Sequence, residues 1–178
     1  EPAELLSQPA TGFWASRGRS LFFTDADLPY DLEFIARALP LVENENDLVT
    51  GNRRLADSEF NVPVDLLPLA YGRHRLGLLF NRFMRLILPI ATTDTQAGIK
   101  GMSRKLAERA FTRQICPGFF FDLEIFLAAA QSGARRSELP ITLHLNSEKS
   151  TIWLMKEAVL TVFWIFRIRL RLRQGGYR

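Results

Sequence analysis

Leu21-Phe22-Phe23-Thr24-Asp25-Ala26-Asp27-Leu28-Pro29 is the stretch that decides how this chain folds. Three large apolar residues ending in Thr read as a buried strand. The run stops at two carboxylates one residue apart, so the acids stand at the C-terminal end of that strand. Pro29 and Asp31 then open a helix to about Leu39, with Asp31 as its N-cap. Strand, acidic turn and helix in that order imply an α/β sheet. In open sheets of this kind ligands bind beyond the carboxyl ends of the strands, where Asp25 and Asp27 fall. Two like charges this close repel, and a cation between them relieves the cost. Oxygen-only ligands suit Mg²⁺ or Mn²⁺, ions that also hold substrate phosphates. The plain alternative is a helix-entry loop with two solvated acids.

Working outward, Asp47 to Thr50 reads as a second short strand closed by Gly51-Asn52. Leu55 to Leu69, with its acids and two prolines, reads as a loop. Arg73 to Leu88 reads as a helix ended by Pro89. Leu76, Leu79, Phe80, Phe83 and Ile87 follow its apolar spacing, and Arg75, Arg82 and Arg85 make it basic. Gly98 to Gly101 is a turn or short strand, and Ser103 caps a helix to Phe111. Asp122 caps another, Leu123 to Gln131, stopped by Gly133. Glu138 to Leu143 reads as an edge strand because of Pro140.

A chain of 178 residues suits one domain with a real core. The single cysteine, Cys116, excludes an internal disulfide and a thiolate metal cluster, and beside Pro117 it reads as a packed small residue. His74 and His144 are too isolated for a zinc site. No basic start followed by an apolar stretch marks a signal peptide. The missing initiator Met points to a fragment or a processed form. Net charge is +4, yet no acid follows Glu157, while Arg167, Arg169, Arg171, Arg173 and Arg178 do. The rest of the chain is thus close to neutral, and the basic tail points to a polyanion.

An Asp-x-Asp after an apolar strand also occurs in haloacid-dehalogenase-type phosphatases. There the first acid is a nucleophile and the second a general acid. That family places Thr or Val where this chain has Pro29, and needs a later acidic pair of which no Asp-Asp example occurs here.

Six segments, in order, carry a closer resemblance. Phe22 to Leu28 resembles the metal-binding segment of dolichyl-phosphate glucose and mannose synthases and their bacterial relatives. Val49-Thr50-Gly51-Asn52-Arg53-Arg54 resembles the Gly-Ser-Arg segment after the next strand. Arg73 to Arg85 resembles the basic helix preceding the acceptor site. Asp94-Thr95-Gln96-Ala97-Gly98-Ile99-Lys100 is similar to the Asp-Thr-Gln-x-Gly-Phe-Lys signature of the glucose-type branch. Phe120 to Glu124 with Glu138 to Ile141 resembles the closing helix and strand. Lys149-Ser150-Thr151-Ile152 resembles the Ser-containing loop before the membrane-proximal helix. The resemblance is to family-2 glycosyltransferases, polyprenyl-phosphate sugar synthases in particular, and runs from about Gly12 to Ile152.

The resemblance implies an α/β, GT-A-type (Rossmann-like) mixed sheet flanked by helices, of which residues 1–152 are the C-terminal portion. The first strands, which hold base and ribose in that family, are not matched, so this fragment alone is expected to be inactive if its parent is an enzyme. It implies transfer of a hexose, glucose over mannose, from a UDP- or GDP-hexose to a polyprenyl phosphate. Asp25 and Asp27 would bridge a divalent metal to the donor diphosphate. Asp94 would orient sugar or acceptor, or act as a base. Arg53 and Arg73 would hold the acceptor phosphate through forked hydrogen bonds, joined by Lys100, Lys149 and Ser150. Mannose-synthase relatives carry a metal-binding Gln where this chain has Pro29, which leaves the metal to the two acids, phosphates and water. The alternatives are the same fold serving another acceptor, and a non-catalytic membrane-associated domain.

Residues 153–178 read as an amphipathic basic tail. The apolar run Ala158 to Phe166 spans roughly 14 Å as a helix, under half of a ~30 Å hydrocarbon core. Trp153, Trp164 and Phe166 beside the arginines suit a helix lying on an anionic membrane surface, peripheral and on the cytoplasmic face. An ordinary core helix with a basic end is the alternative. Nucleic acid is the weaker partner, since the apolar block leaves no phosphate-tracking face.

Overall fold

A computed structural model describes residues 8–116, 120–144 and 154–176. It is a mixed α/β structure. In chain order it runs α1 (Gln8–Ala15), β1 (Ser20–Thr24), α2 (Glu33–Asn44), β2 (Leu48–Gly51), β3 (Glu59–Asn61), a 3₁₀ turn (Val64–Leu66) and α3 (Leu67–Ile87). Then follow β4 (Ile99–Ser103), α4 (Arg104–Thr112), α5 (Phe121–Gln131), β5 (Arg136–Leu139), β6 (Thr142–His144) and α6 (Leu154–Arg173).

The main sheet has the order β1-β4-β2-β5. β4 is antiparallel to β1 and to β2, and β2 is parallel to β5. The carboxyl ends of β1, β2 and β5 and the amino end of β4 therefore share one edge of the sheet. β3 and β6 form a separate parallel pair.

Alternation along the strands divides the core. Leu48 and Met102 face one side, under α4, α5 and α6, with Leu106, Phe111, Leu123, Phe126, Ile165 and Ile168. Val49 and Ile99 face the other, against Tyr30, Phe34, Ala38 and Val42 of the α2 region. Gly133, at a φ of 65°, ends α5 as its position implies. Ser103 caps α4, accepting from the Leu106 N–H at 3.3 Å.

Several local expectations change. α2 runs through Pro40 to Asn44 instead of stopping at Leu39. Phe34, Ala38 and Val42 recur every fourth residue and are buried on one face, and that packing outweighs the hydrogen bond lost at proline. Asp31 makes no side-chain cap; Leu32 precedes the helix, and Asp31 instead meets His144 Nε2 at 3.0 Å. α3 starts at Leu67 inside the expected loop, because Pro68 sits in its first turn where no N–H is needed. Pro140 divides the expected strand 138–143, so that β5 edges the main sheet and β6 joins β3.

Candidate functional site

Asp25 directly follows β1, and its backbone N–H bonds to Gly98 O at 2.9 Å. The Leu28 N–H closes a turn back on Asp25 O at 3.0 Å, with Leu28 held at a φ of 46°. Such a backbone is strained for a γ-branched residue, and strain of this kind gathers at functional turns. Both acids are exposed to solvent. Neither carboxylate has a hydrogen-bond or ion-pair partner among the described residues. Gly98 is the reason Asp25 fits: a Cβ there would collide with the Asp25 carboxylate. Although open to solvent, the Asp25 carboxyl is crowded against Gly98. Desolvation there raises it above the ordinary carboxylate range, against the pull of Lys100 and with the help of Asp27. An unneutralised, partly desolvated acid beside a second one is a donor set that a divalent cation would relieve. Among the described residues no third His, Cys, Asp or Glu joins them, so a bound Mg²⁺ or Mn²⁺ would draw its other ligands from substrate and water.

The neighbouring turn, between β2 and β3, faces the segment before β4. Arg53 forks onto Asp94, Nε to Oδ2 at 2.8 Å and Nη2 to Oδ1 at 2.7 Å, and its backbone N–H adds a third bond at 3.0 Å. The Gln96 N–H also donates to Asp94 Oδ1, at 3.3 Å. Burial pushes the Asp94 carboxyl up, but the Arg53 fork outweighs it and holds the group below its ordinary value. So engaged, Asp94 is a weak base and a rigid anchor. The fork expected on an acceptor phosphate is spent within the chain.

Lys100 is fully buried. Its ammonium donates to Ala97 O at 2.6 Å and Asp122 Oδ1 at 2.8 Å, over the rings of Phe23 and Phe126. Asp122 is thus an ion-pair partner in the first turn of α5 and not its cap. Glu124, also in that turn, accepts from the Ile115 and Cys116 N–H groups and fixes the segment before α5. Burial beside Glu124 raises the Cys116 thiol, which fits a packed residue and not a nucleophile. Arg73 lies on α3, but its side chain, like Lys149 and Ser150, lies outside the described residues.

Four residues complete the arrangement without having been singled out from sequence. Tyr30 OH accepts from the Gly98 N–H at 3.1 Å. Asn52 joins Thr93 Oγ1 at 2.9 Å to Glu138 Oε2 at 2.7 Å. Asn81 of α3 reaches Thr95 Oγ1 at 3.3 Å. Arg54 ties Thr93 O to Gly77 O of α3. Asn52 follows the Gly51 that ends β2, and it and Arg54 lie in the Val49 to Arg54 segment that carries the resemblance. Beside β5 a cavity of about 410 Å³ opens between Thr50, Thr92, Phe126, Arg136 and Glu138.

Two helices present mixed apolar and basic outer faces. On α3, Tyr71, Leu76, Leu79, Phe83 and Leu86 are exposed beside Arg75, Arg82 and Arg85. On α6, Ile165 and Ile168 are buried in the core while Phe163, Phe166, Leu170, Arg167, Arg169 and Arg173 face out. The tail helix is therefore a core helix on one side and amphipathic on the other. No helix among the described residues is long and apolar enough to cross a membrane. No protein-family model matches the chain, and no curated protein matches it.

Proposed function

We propose that this chain is the metal- and acceptor-side part of a GT-A-type glycosyltransferase that moves a hexose, glucose in the first instance, from a nucleotide sugar to a polyprenyl phosphate. The observation carrying the reading is the sheet edge itself: Asp25 and Asp27 after β1, Arg53 after β2, and Asp94 to Gly98 before β4 converge there. The resemblance of the six segments supports the same reading.

In the reaction an oxygen of the acceptor phosphate attacks the anomeric carbon of the hexose. The bond from that carbon to the donor diphosphate breaks, and the nucleoside diphosphate leaves. The acceptor is already anionic, so no strong base is required, which agrees with an Asp94 committed to Arg53. Asp25 and Asp27 would hold a divalent ion, which when bound would neutralise charge on the leaving diphosphate. Asp94, fixed by Arg53, keeps the 94–98 loop in place beside Asp25. Catalysis on this reading is positioning and charge stabilisation. The exposed faces of α3 and α6 support a peripheral location at an anionic cytoplasmic leaflet, where a lipid-linked acceptor is presented.

The test is transfer of labelled hexose from UDP-glucose or GDP-mannose to polyprenyl phosphate in vesicles with Mn²⁺, using the longest chain that contains these residues. Lipid-linked product that disappears in Asp25→Asn and Asp27→Asn supports the reading. A second reading, a membrane-bound domain without turnover, is favoured by one observation: Arg53 and Lys100 are already paired within the chain. Vesicle binding with no lipid-linked product would select it.

A further inference from the structure

The segment Asp94 to Gly98 is pinned at almost every residue. Asp94 is held by Arg53, Thr95 by Asn81, Ala97 O by Lys100, and Gly98 by Tyr30 on one side and Asp25 on the other. The backbone N–H of Gln96 is satisfied by Asp94. Its side-chain amide is the exception: Nε2 is buried and has no hydrogen-bond partner among the described residues. Thr24 Oγ1, on the residue preceding Asp25, is buried and unpartnered too. Two orphaned polar atoms thus lie in the two segments that frame the Asp25 carboxylate. Buried donors are almost always paired, and one left unpaired on a rigid loop at the ligand-binding edge of a sheet calls for an acceptor from outside the chain.

We propose that the Gln96 amide donates a hydrogen bond to an oxygen of the bound nucleotide sugar, and so helps determine which donor is accepted. This rests on the glycosyl-transfer reading above. Both a sugar hydroxyl and a phosphoryl oxygen offer the required acceptor. A fixed amide discriminates well, because a ligand lacking the matching oxygen leaves the donor orphaned.

The test compares wild type with Gln96→Met, which keeps length without a donor, and Gln96→Glu, which keeps shape and replaces the donor by an acceptor. Calorimetric titrations of the longest chain that contains these residues, with Mn²⁺, use UDP-glucose and GDP-mannose, with UDP and GDP as sugar-free arms. Both variants are expected to bind the preferred nucleotide sugar about five- to tenfold more weakly. Gln96→Met should melt no lower than wild type, since it removes an orphaned donor. A loss confined to the nucleotide sugars assigns the contact to a hydroxyl, and an equal loss for the sugar-free nucleotides assigns it to phosphate. Unchanged affinity in both variants, with wild type binding normally, overturns this inference and leaves the transfer reading intact. If wild type binds none of the four probes, both fall.

Discussion

The Asp25 carboxylate occupies the space that a side chain at Gly98 would need. This contact joins the acidic turn after β1 to the segment before β4, and it explains why the residue there lacks a side chain. Gly98→Ala should rotate Asp25 out of its position at a modest cost in stability, about 1–3 kcal/mol as for other overpacked sites. Mn²⁺ affinity measured by electron paramagnetic resonance should fall far more than the melting temperature. A variant with unchanged Mn²⁺ affinity would show that Asp25 need not stand there.

The Arg53–Asp94 fork makes a pH prediction. Asp94 titrates below its ordinary value in the folded protein. Its contribution to stability is therefore complete above the unfolded pKa of about 3.9 and is lost as pH falls through the lower folded value. Arg53→Ala removes that contribution and leaves Asp94 buried without its cation. The expected cost near pH 7 is about 2–3 kcal/mol, at or below the low end for a fully buried pair because Arg53 is 29% exposed. Acid unfolding should begin at higher pH in the variant, which circular dichroism against pH would record.

Lys100 and Asp122 form a pair with side-chain exposures of 0% and 8%. Lys100→Met alone or Asp122→Leu alone leaves one buried charge, at a cost of about 3–5 kcal/mol. The double variant removes both charges and should lie within about 2 kcal/mol of wild type. Denaturant melts of the four proteins check this. A double variant as unstable as the sum of the singles would show that the pair does more than neutralise itself.

The two faces of α6 should separate experimentally. Neutralising Arg167, Arg169 and Arg173 should weaken binding to anionic vesicles by about 3 kcal/mol at most, less with salt, and barely move the melting temperature. Ile168→Ala, on the buried face, should cost about 2–5 kcal/mol of stability. Flotation and a melting curve on the same two variants test both halves.

The parts of this fold written locally were readable from sequence. The apolar run at Leu21 to Phe23 announced β1, although as a half-buried outer strand of the sheet and not the buried one expected; the acids marked its end, and Ser103 lay where a cap was needed. What escaped depends on contacts between residues far apart in the chain. Arg53 and Asp94 are 41 residues apart, and Lys100 and Asp122 are 22 apart. Arg53, Asp94 and Lys100 resembled free ligand-binding groups, and Asp122 a helix cap, because nothing nearby in sequence reveals their partners. α2 outran its expected end at Leu39 for the opposite reason: the local cost of Pro40 inside a helix was overridden by the tertiary packing of Phe34, Ala38 and Val42. Tyr30 carried no motif of its own, and neither it nor Asn52 showed its partner, because only the sheet brings Gly98 and Glu138 to them.

On the proposed reading Asp25 and Asp27 seat a divalent ion that holds a nucleotide sugar. Titration of UDP-glucose and GDP-mannose into the longest chain that contains these residues, with Mn²⁺ and then with excess chelator, is the decisive measurement. Binding should require Mn²⁺ and be lost in both Asp25→Asn and Asp27→Asn, while both variants keep the wild-type circular dichroism spectrum. Binding that persists in chelator and in both variants would contradict it.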